Sequence, residues 1–391
     1  MSAPGAPSPS RFRVAIVGGG IVGLFTAYRL LAAGAGPVVV LDRGYLASGA
    51  SGRNGGGVRQ QWETVATVRL AREAVREWQG FPREFGYNIW FRQGGYLFLA
   101  MDDDEMERLE AVRSAVRSEG LDARRLAVGD LPRRVPGICL DGIAGATYLA
   151  SDGTLYPFPA VWGVYEAVRR MGGVLRYGEE VIGIRRAEGR AVGVVTRSGP
   201  VAADWVVNAA GAWSGAISRS AGLAPPNRAS RHEILATEPL KPFLTPMVVR
   251  LTDGLYFSQT MRGEIVGGLT LRTTGGPEGG SPSSAEFLRR MAVALTGLLP
   301  RLGGLGVLRA WSGYYDDTPD GLPILGEDPE LGRFVQANGF GGHGFMLAPA
   351  SSRRIASVIL GERSDLDPEQ FGPARFRNPG RALRPEGAQL G

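Results

Sequence analysis

Apolar positions along the chain fall into short runs broken by glycine-rich turns, with longer periodic stretches between them. Arg11 to Val17 alternates and then turns wholly apolar, as a buried parallel strand does. Gly18-Gly19-Gly20-Ile21-Val22-Gly23 follows. Leu24 to Ala33 carries apolar and small residues at helical spacing and stops at Gly34. Pro37 to Leu41 is a second apolar strand, ending at Asp42. Farther along, charged periodic stretches predict helices over Met101 to Glu119 and Ser284 to Leu299. Strands are predicted over Tyr87 to Ala100, Arg231 to Glu238 and Gly254 to Gly268. No internal repeat and no low-complexity linker is evident.

Strand, glycine turn, helix, strand and acid within about thirty residues predict a dinucleotide site. Gly18 permits the sharp turn out of the strand, Gly20 lets backbone approach a pyrophosphate, and Gly23 lets the helix pack closely on the strand. The helix start presents N–H groups and the positive dipole end to phosphates. Asp42 stands where a carboxylate accepts hydrogen bonds from a ribose. The motif alone does not separate FAD from NAD.

Composition narrows the remaining chemistry. At 391 residues, two intergrown domains are expected. The net charge of +6 is nearly all arginine, since Lys241 is the only lysine. The arginines are scattered, so no nucleic-acid patch is expected, and a modestly positive surface helps attract a carboxylate. Cys139 is the only cysteine, which excludes an intrachain disulfide and a cysteine metal site. His232 and His343 are the only histidines, which excludes a multi-histidine metal centre, and no metal is expected. Met1 to Ser10 reads as a disordered tail rather than a signal peptide. No stretch is long and apolar enough to span a bilayer, so a cytoplasmic address is expected.

The segment from Asp42 through Arg43-Gly44-Tyr45-Leu46-Ala47-Ser48-Gly49-Ala50-Ser51-Gly52-Arg53-Asn54-Gly55-Gly56-Gly57-Val58-Arg59 resembles the D-amino acid oxidase-like flavoenzymes. That family includes glycine oxidase, monomeric sarcosine oxidase, and the β subunits of heterotetrameric sarcosine oxidase and dye-linked proline dehydrogenase. Trp205 to Ser214, Asp320 to Gly326 and Ala337 to Pro349 resemble the family's later flavin-binding segments, in the family's order. The resemblance implies an α/β fold with a discontinuous Rossmann-type FAD-binding domain and a substrate domain of mixed β-sheet and flanking helices. The FAD domain is expected over residues 11–85, 152–225 and 320–365, and the substrate domain over 86–151 and 226–319. Residues 366–391 would form a C-terminal extension. FAD contacts are expected from Gly18, Gly20, Gly23, Asp42, Arg43, Ser48, Ser51, Arg53, Asn54 and Gly55. Val181, Ala210, Gly211, Trp213, Gly339, Gly341, Gly342, Gly344 and Phe345 complete that set.

In such enzymes the flavin performs the redox chemistry, and the protein orients a substrate carboxylate and amine over it. Arg59 matches the arginine that follows the Gly/Ser loop in sarcosine oxidases, and a guanidinium grips a carboxylate through two parallel hydrogen bonds. Its alternatives are contact with the flavin phosphates or an ion pair with a residue such as Glu63. His343 matches the family histidine of Gly-His-Gly-Phe. It would polarise the flavin or help deprotonate the amine, or serve as a structural hydrogen-bonding group. Tyr256 matches a carboxylate-contacting tyrosine of glycine oxidase, with core packing as the alternative. Tyr314 and Tyr315 are expected to line the pocket, and Arg262 to face solvent at a hairpin turn.

Several family features are missing. The cysteine that attaches FAD in monomeric sarcosine oxidases would stand near Ser312 or Gly313. The FMN-anchoring histidine of the heterotetrameric β subunits would stand in Leu155-Tyr156-Pro157-Phe158-Pro159. Neither is present, so noncovalent FAD is expected. Basic residues of relatives are replaced at Tyr315, at Met346 and near Thr270. Met346, Tyr314, Tyr315 and Trp62 then imply a roomier, more apolar pocket. The expected reaction is oxidation of a secondary amino acid or N-substituted glycine, by hydride transfer from its α-carbon and imine hydrolysis, with O2 returned as H2O2. The alternatives are the β-type catalytic subunit of a hetero-oligomeric dye-linked dehydrogenase, which needs a partner subunit, and a non-catalytic flavin-binding subunit.

Overall fold

Two eight-stranded sheets share the chain between them. The computed structural model describes residues 11–271, 283–363, 365 and 367–377. The expected tail over 1–10 and most of the extension over 366–391 lie outside the described residues.

The first sheet has a parallel core in the order Leu331–Asn338, Gly199–Asn208, Phe12–Val17, Val38–Asp42 and Val174–Tyr177. Ile324–Asp328 closes one edge antiparallel. Val181–Ala187 and Arg190–Thr196 extend it as an antiparallel annex. The central strands are apolar over Val14–Val17 and Val38–Leu41, where both faces are covered. On one face lie the helices Ile21–Ala32, Val65–Phe85, Pro157–Arg170 and Gly344–Leu360. Phe25, Trp78, Phe81, Phe85 and Phe345 join three of them, Ile21–Ala32, Val65–Phe85 and Gly344–Leu360, in one aromatic cluster. Each such buried ring contributes roughly 1.5–3 kcal/mol of hydrophobic stabilisation before entropy is counted.

The second sheet runs in the order Val307–Asp317, Arg228–Pro239, Glu264–Leu269, Leu255–Gln259, Met247–Arg250, Tyr96–Ala100, Gly145–Leu149 and Arg124–Leu126. All pairs are antiparallel except Met247–Arg250 with Tyr96–Ala100. The helix Ala285–Leu298 packs on one face through Phe287, Met291 and Leu295. The other face turns toward the first sheet. A two-stranded ladder, Gly57–Val58 with Gly153–Thr154, ties the glycine loop to the middle of the chain. The α/β class with mixed sheets and flanking helices is the one expected.

One element assignment changes and another gains its turn. Of Tyr87 to Ala100 only Tyr96–Ala100 forms a strand. Trp90 at φ 48° and Gly95 at φ 86° break the extended backbone, and Asn88 Oδ1 accepts the Trp90 N–H to hold the bend. Gly254 to Gly268 holds two strands, Leu255–Gln259 and Glu264–Leu269, joined at Thr260–Gly263 by the hairpin turn expected at Arg262. Arg262 lies at that turn, exposed and paired with Glu264. The periodicity of each half was right, but the reversal needed Gly263 at φ 101°.

Candidate active site

A cavity of about 520 Å³ runs from the glycine turn to the inner face of the second sheet. At its first end the backbone does the work. Gly18 has φ 108°, and a Cβ there would stand 2.2 Å from the Ala209 carbonyl oxygen. A Cβ on Gly23 would meet the Gly18 oxygen at 2.0 Å, so helix and strand touch as the motif requires. Asp42 accepts the N–H groups of Gly19 and Gly44, both at 2.7 Å, and so braces the turn. Ser51 Oγ accepts the first helical N–H, from Ile21, at 2.9 Å. Tyr177, which sequence reasoning missed, donates to the Gly19 carbonyl at 2.9 Å and packs under the turn.

The Gly/Ser loop forms the next stretch of wall. Arg53 donates to the carbonyls of Ser48 and Ser312, stitching the loop to the second sheet. Asn54 holds the carbonyls of Ala50 and Ser51 and accepts the Gly56 N–H. Trp213 lies within reach of the Arg43 guanidinium, and its indole N–H is buried without a partner in the protein. An orphaned donor facing an elongated, glycine-walled cavity fits a bound polar group there. Near the far turn, Asp316 accepts from Ser214, Asn227 and the Gly339 N–H, and burial pushes its carboxyl up to about 6.

Of the residues expected to touch cofactor, most line this cavity. Gly23 and Gly339 stand just behind the wall and shape it. Gly339 has φ 70° and is held by Asp316.

The second end is made of side chains. Tyr256, Tyr315 and Met346 line it, joined by Tyr96, His232, Ile234, Met247 and Val249. Tyr256 and Tyr315 neighbour each other there, and burial pushes the Tyr315 phenol up to about 12. His232 stacks on Tyr315 with ring centroids 3.6 Å apart, and burial pushes its imidazole down to about 4. His232 therefore presents a neutral ring to the cavity at neutral pH. It was passed over in the sequence. The signal was the alternation of Arg231 to Glu238, which puts His232 and Ile234 on one face.

Arg59 and His343 stand behind this wall. Arg59 is 1% exposed. Its Nη1 donates to the Gln61 carbonyl at 2.7 Å, and its Nη2 lies 3.0 Å from His343 Nε2. The guanidinium sits 4.0 Å from the Trp62 ring centre, and Trp62 also meets His343 edge-on. Trp62 is thus buried packing for Arg59, not the pocket wall expected of it, because its indole folds back to donate to the Arg59 carbonyl. The positive charge of Arg59 acts on the hydroxyls of both Tyr96 and Tyr315. Tyr314 lines the cavity as expected, edge-on to Trp213.

Among the described residues, no cluster of three metal-ligating side chains occurs, and no helix is long and apolar enough to cross a membrane. Cys139 and Lys241 do not line the cavity.

The chain is similar to the sarcosine oxidase β subunit of Rhodobacter capsulatus, at 30% identity over 95% of this chain and 90% of that protein. It is equally similar to glycine oxidase of Pseudomonas putida, at 30% identity over 92% of this chain and 98% of that one. The solved structure of L-proline dehydrogenase from P. horikoshii superposes with a TM-score of 0.89, at 32% identity, over 95% of this chain and 99% of the other. The family model for FAD dependent oxidoreductases matches residues 13–358, and the chain belongs to that family of FAD-dependent enzymes.

Proposed function

We propose that this protein oxidises the carbon–nitrogen bond of a secondary amino acid, an N-substituted glycine or cyclic amino acid, with noncovalently bound FAD. The observation that carries the reading is the second end of the cavity. It combines an apolar floor with two neighbouring tyrosine hydroxyls, Tyr256 and Tyr315, backed by the buried Arg59.

FAD, when bound, would supply the redox chemistry as the acceptor of a hydride equivalent from the substrate α-carbon. The glycine turn, Asp42, the Gly/Ser loop and Trp213 would hold it. The cavity wall contains no cysteine, which supports noncovalent binding. The substrate carboxylate would meet the hydroxyls of Tyr256 and Tyr315, with the Arg59 charge behind them. A low-dielectric wall strengthens such contacts. His232, neutral beside Tyr315, adds no charge that would hold an ammonium there, so the desolvated pocket would favour the neutral amine. Met346, Met247, Val249 and Ile234 would take the substituent and exclude water.

Oxygen is the acceptor we favour, which makes the protein an oxidase forming H2O2. Similarity to the proline dehydrogenase and to a sarcosine oxidase β subunit favours a second reading, a β-type subunit with a different acceptor and a partner chain. One experiment addresses both. The purified yellow protein is mixed without air with N-methylglycine, glycine, L-proline and D-proline, and the flavin band is followed. Bleaching by N-methylglycine or proline, reversed quickly by air, is the expected result. Bleaching that air does not reverse selects the dehydrogenase. No bleaching by any of them refutes the substrate class.

A further inference from the structure

Asp152 sits at the end of the Gly57–Val58 and Gly153–Thr154 ladder, wholly buried. Its two oxygens are spent on one short stretch of chain. Oδ1 accepts the Gln60 backbone N–H at 2.8 Å and the Gln60 side-chain amide at 3.2 Å. Oδ2 accepts the Gln61 side-chain amide at 3.0 Å. The Gln61 amide nitrogen also reaches the Tyr96 carbonyl at 3.3 Å, and Thr147 donates to its oxygen at 3.4 Å. Gln61 is thus clamped between Asp152 and two strands of the second sheet. The Gln61 carbonyl in turn accepts from Arg59 Nη1.

A buried carboxylate is costly, and here burial pushes the carboxyl up to about 7. A turn could be closed by neutral groups at less cost. What a carboxylate adds is a pair of acceptors that holds Gln60 and Gln61 at once, with Arg59 close enough to favour its ionised form. We propose that Asp152 is a positioning residue: through Gln60 and Gln61 it fixes the Arg59 guanidinium behind Tyr96 and Tyr315, and thereby sets the affinity of the site for a substrate carboxylate. This rests on the reading that the second end of the cavity takes a carboxylate.

The test separates the two ideas. The FAD-loaded protein is titrated with acetate, which carries only the carboxylate, and with pyrrolidine, which carries only the amine. Each titration follows perturbation of the visible flavin band. In Asp152→Asn the acetate Kd is expected to rise about tenfold or more, while the pyrrolidine Kd and flavin content stay within about twofold of wild type. Asp152→Glu, which keeps the charge, recovers part of the loss. Arg59→Met sets the scale. If Arg59→Met loses the acetate response and Asp152→Asn keeps it, the positioning role alone is overturned. Asp152→Asn weakening both probes alike makes Asp152 merely structural and overturns it too. An acetate response absent from wild type, or unchanged in Arg59→Met, overturns the carboxylate reading and the positioning role with it. Where Asp152→Asn cannot retain flavin, Gln61→Met cuts the same link, and an unchanged acetate Kd there refutes the proposal.

Discussion

The two ends of one cavity are built in different ways. The cofactor end is mostly backbone: a glycine turn, a helix start and a small-residue loop, contributed by residues close together in the chain. The substrate end is mostly side chains, brought in by strands far apart in sequence and by the first turn of the last long helix. At Gly18, Gly23 and Gly52 the first has no room for an added atom. The second tolerates changes of side chain but depends on register. In the second sheet, Tyr315 faces Ser230 across one pair and Tyr256 faces Gly268 across another. A slip of one residue would turn those rings away from the cavity.

That contrast can be broken by substitution. The largest effect is expected at the cofactor end. Gly23→Ala places a methyl 2.0 Å from the Gly18 carbonyl oxygen, and the protein should purify without FAD, read from the ratio of visible to ultraviolet absorbance. Retention of flavin by that variant would remove the close-packing argument. Gly34→Ala is the control. Its φ is 71° but nothing lies within 4 Å, so it should cost only about 1 kcal/mol of stability and leave flavin binding intact.

At the substrate end the second-largest effect should appear as a pH dependence. The His232 imidazole has its pKa lowered by burial from 6.5 to about 4. Stability from this group is present above the unfolded value and is lost as pH falls toward the folded one, since only the unfolded chain then takes the proton. His232→Gln should therefore flatten the acid limb of thermal stability between those pH values, by up to roughly 3 kcal/mol. An unaltered limb would mean that the ring is more solvated than its stacking on Tyr315 implies. The smallest effect is expected from Tyr315→Phe and Tyr256→Phe. Each should raise KM for the amine acid by roughly tenfold, with flavin content unchanged, as loss of one hydrogen bond of about 1.4 kcal/mol would do. A fall in kcat at constant KM would instead place these hydroxyls in the chemical step.

The motif at the start of the chain was legible because each of its requirements is local. Gly18, Gly20, Gly23 and Asp42 lie on consecutive elements, and their roles follow from turn geometry and helix electrostatics. The helices Asp103–Ser118 and Ala285–Leu298 were legible for the same reason. His232 and Tyr96 were not singled out, because alternation shows that one face of a strand differs from the other but not what the face meets. Trp62 misled because an indole beside the expected site is as apolar as pocket wall or as packing, and only the fold back onto the Arg59 carbonyl decides.

By itself, then, the chain's sequence determined the class of fold, the dinucleotide turn and the family resemblance, since these depend on spacing along the chain. Tertiary structure alone decided that Arg59 and His343 stand behind the cavity wall while Tyr256, Tyr315 and His232 form it, and that Asp152 grips the stretch carrying Arg59. Those are contacts between segments far apart in the chain, for example Arg59 with His343, 284 residues apart, and Gln60 with Asp152, 92 apart. Their geometry is set by sheet order and register, which depend on how the whole apolar core closes rather than on any local pattern.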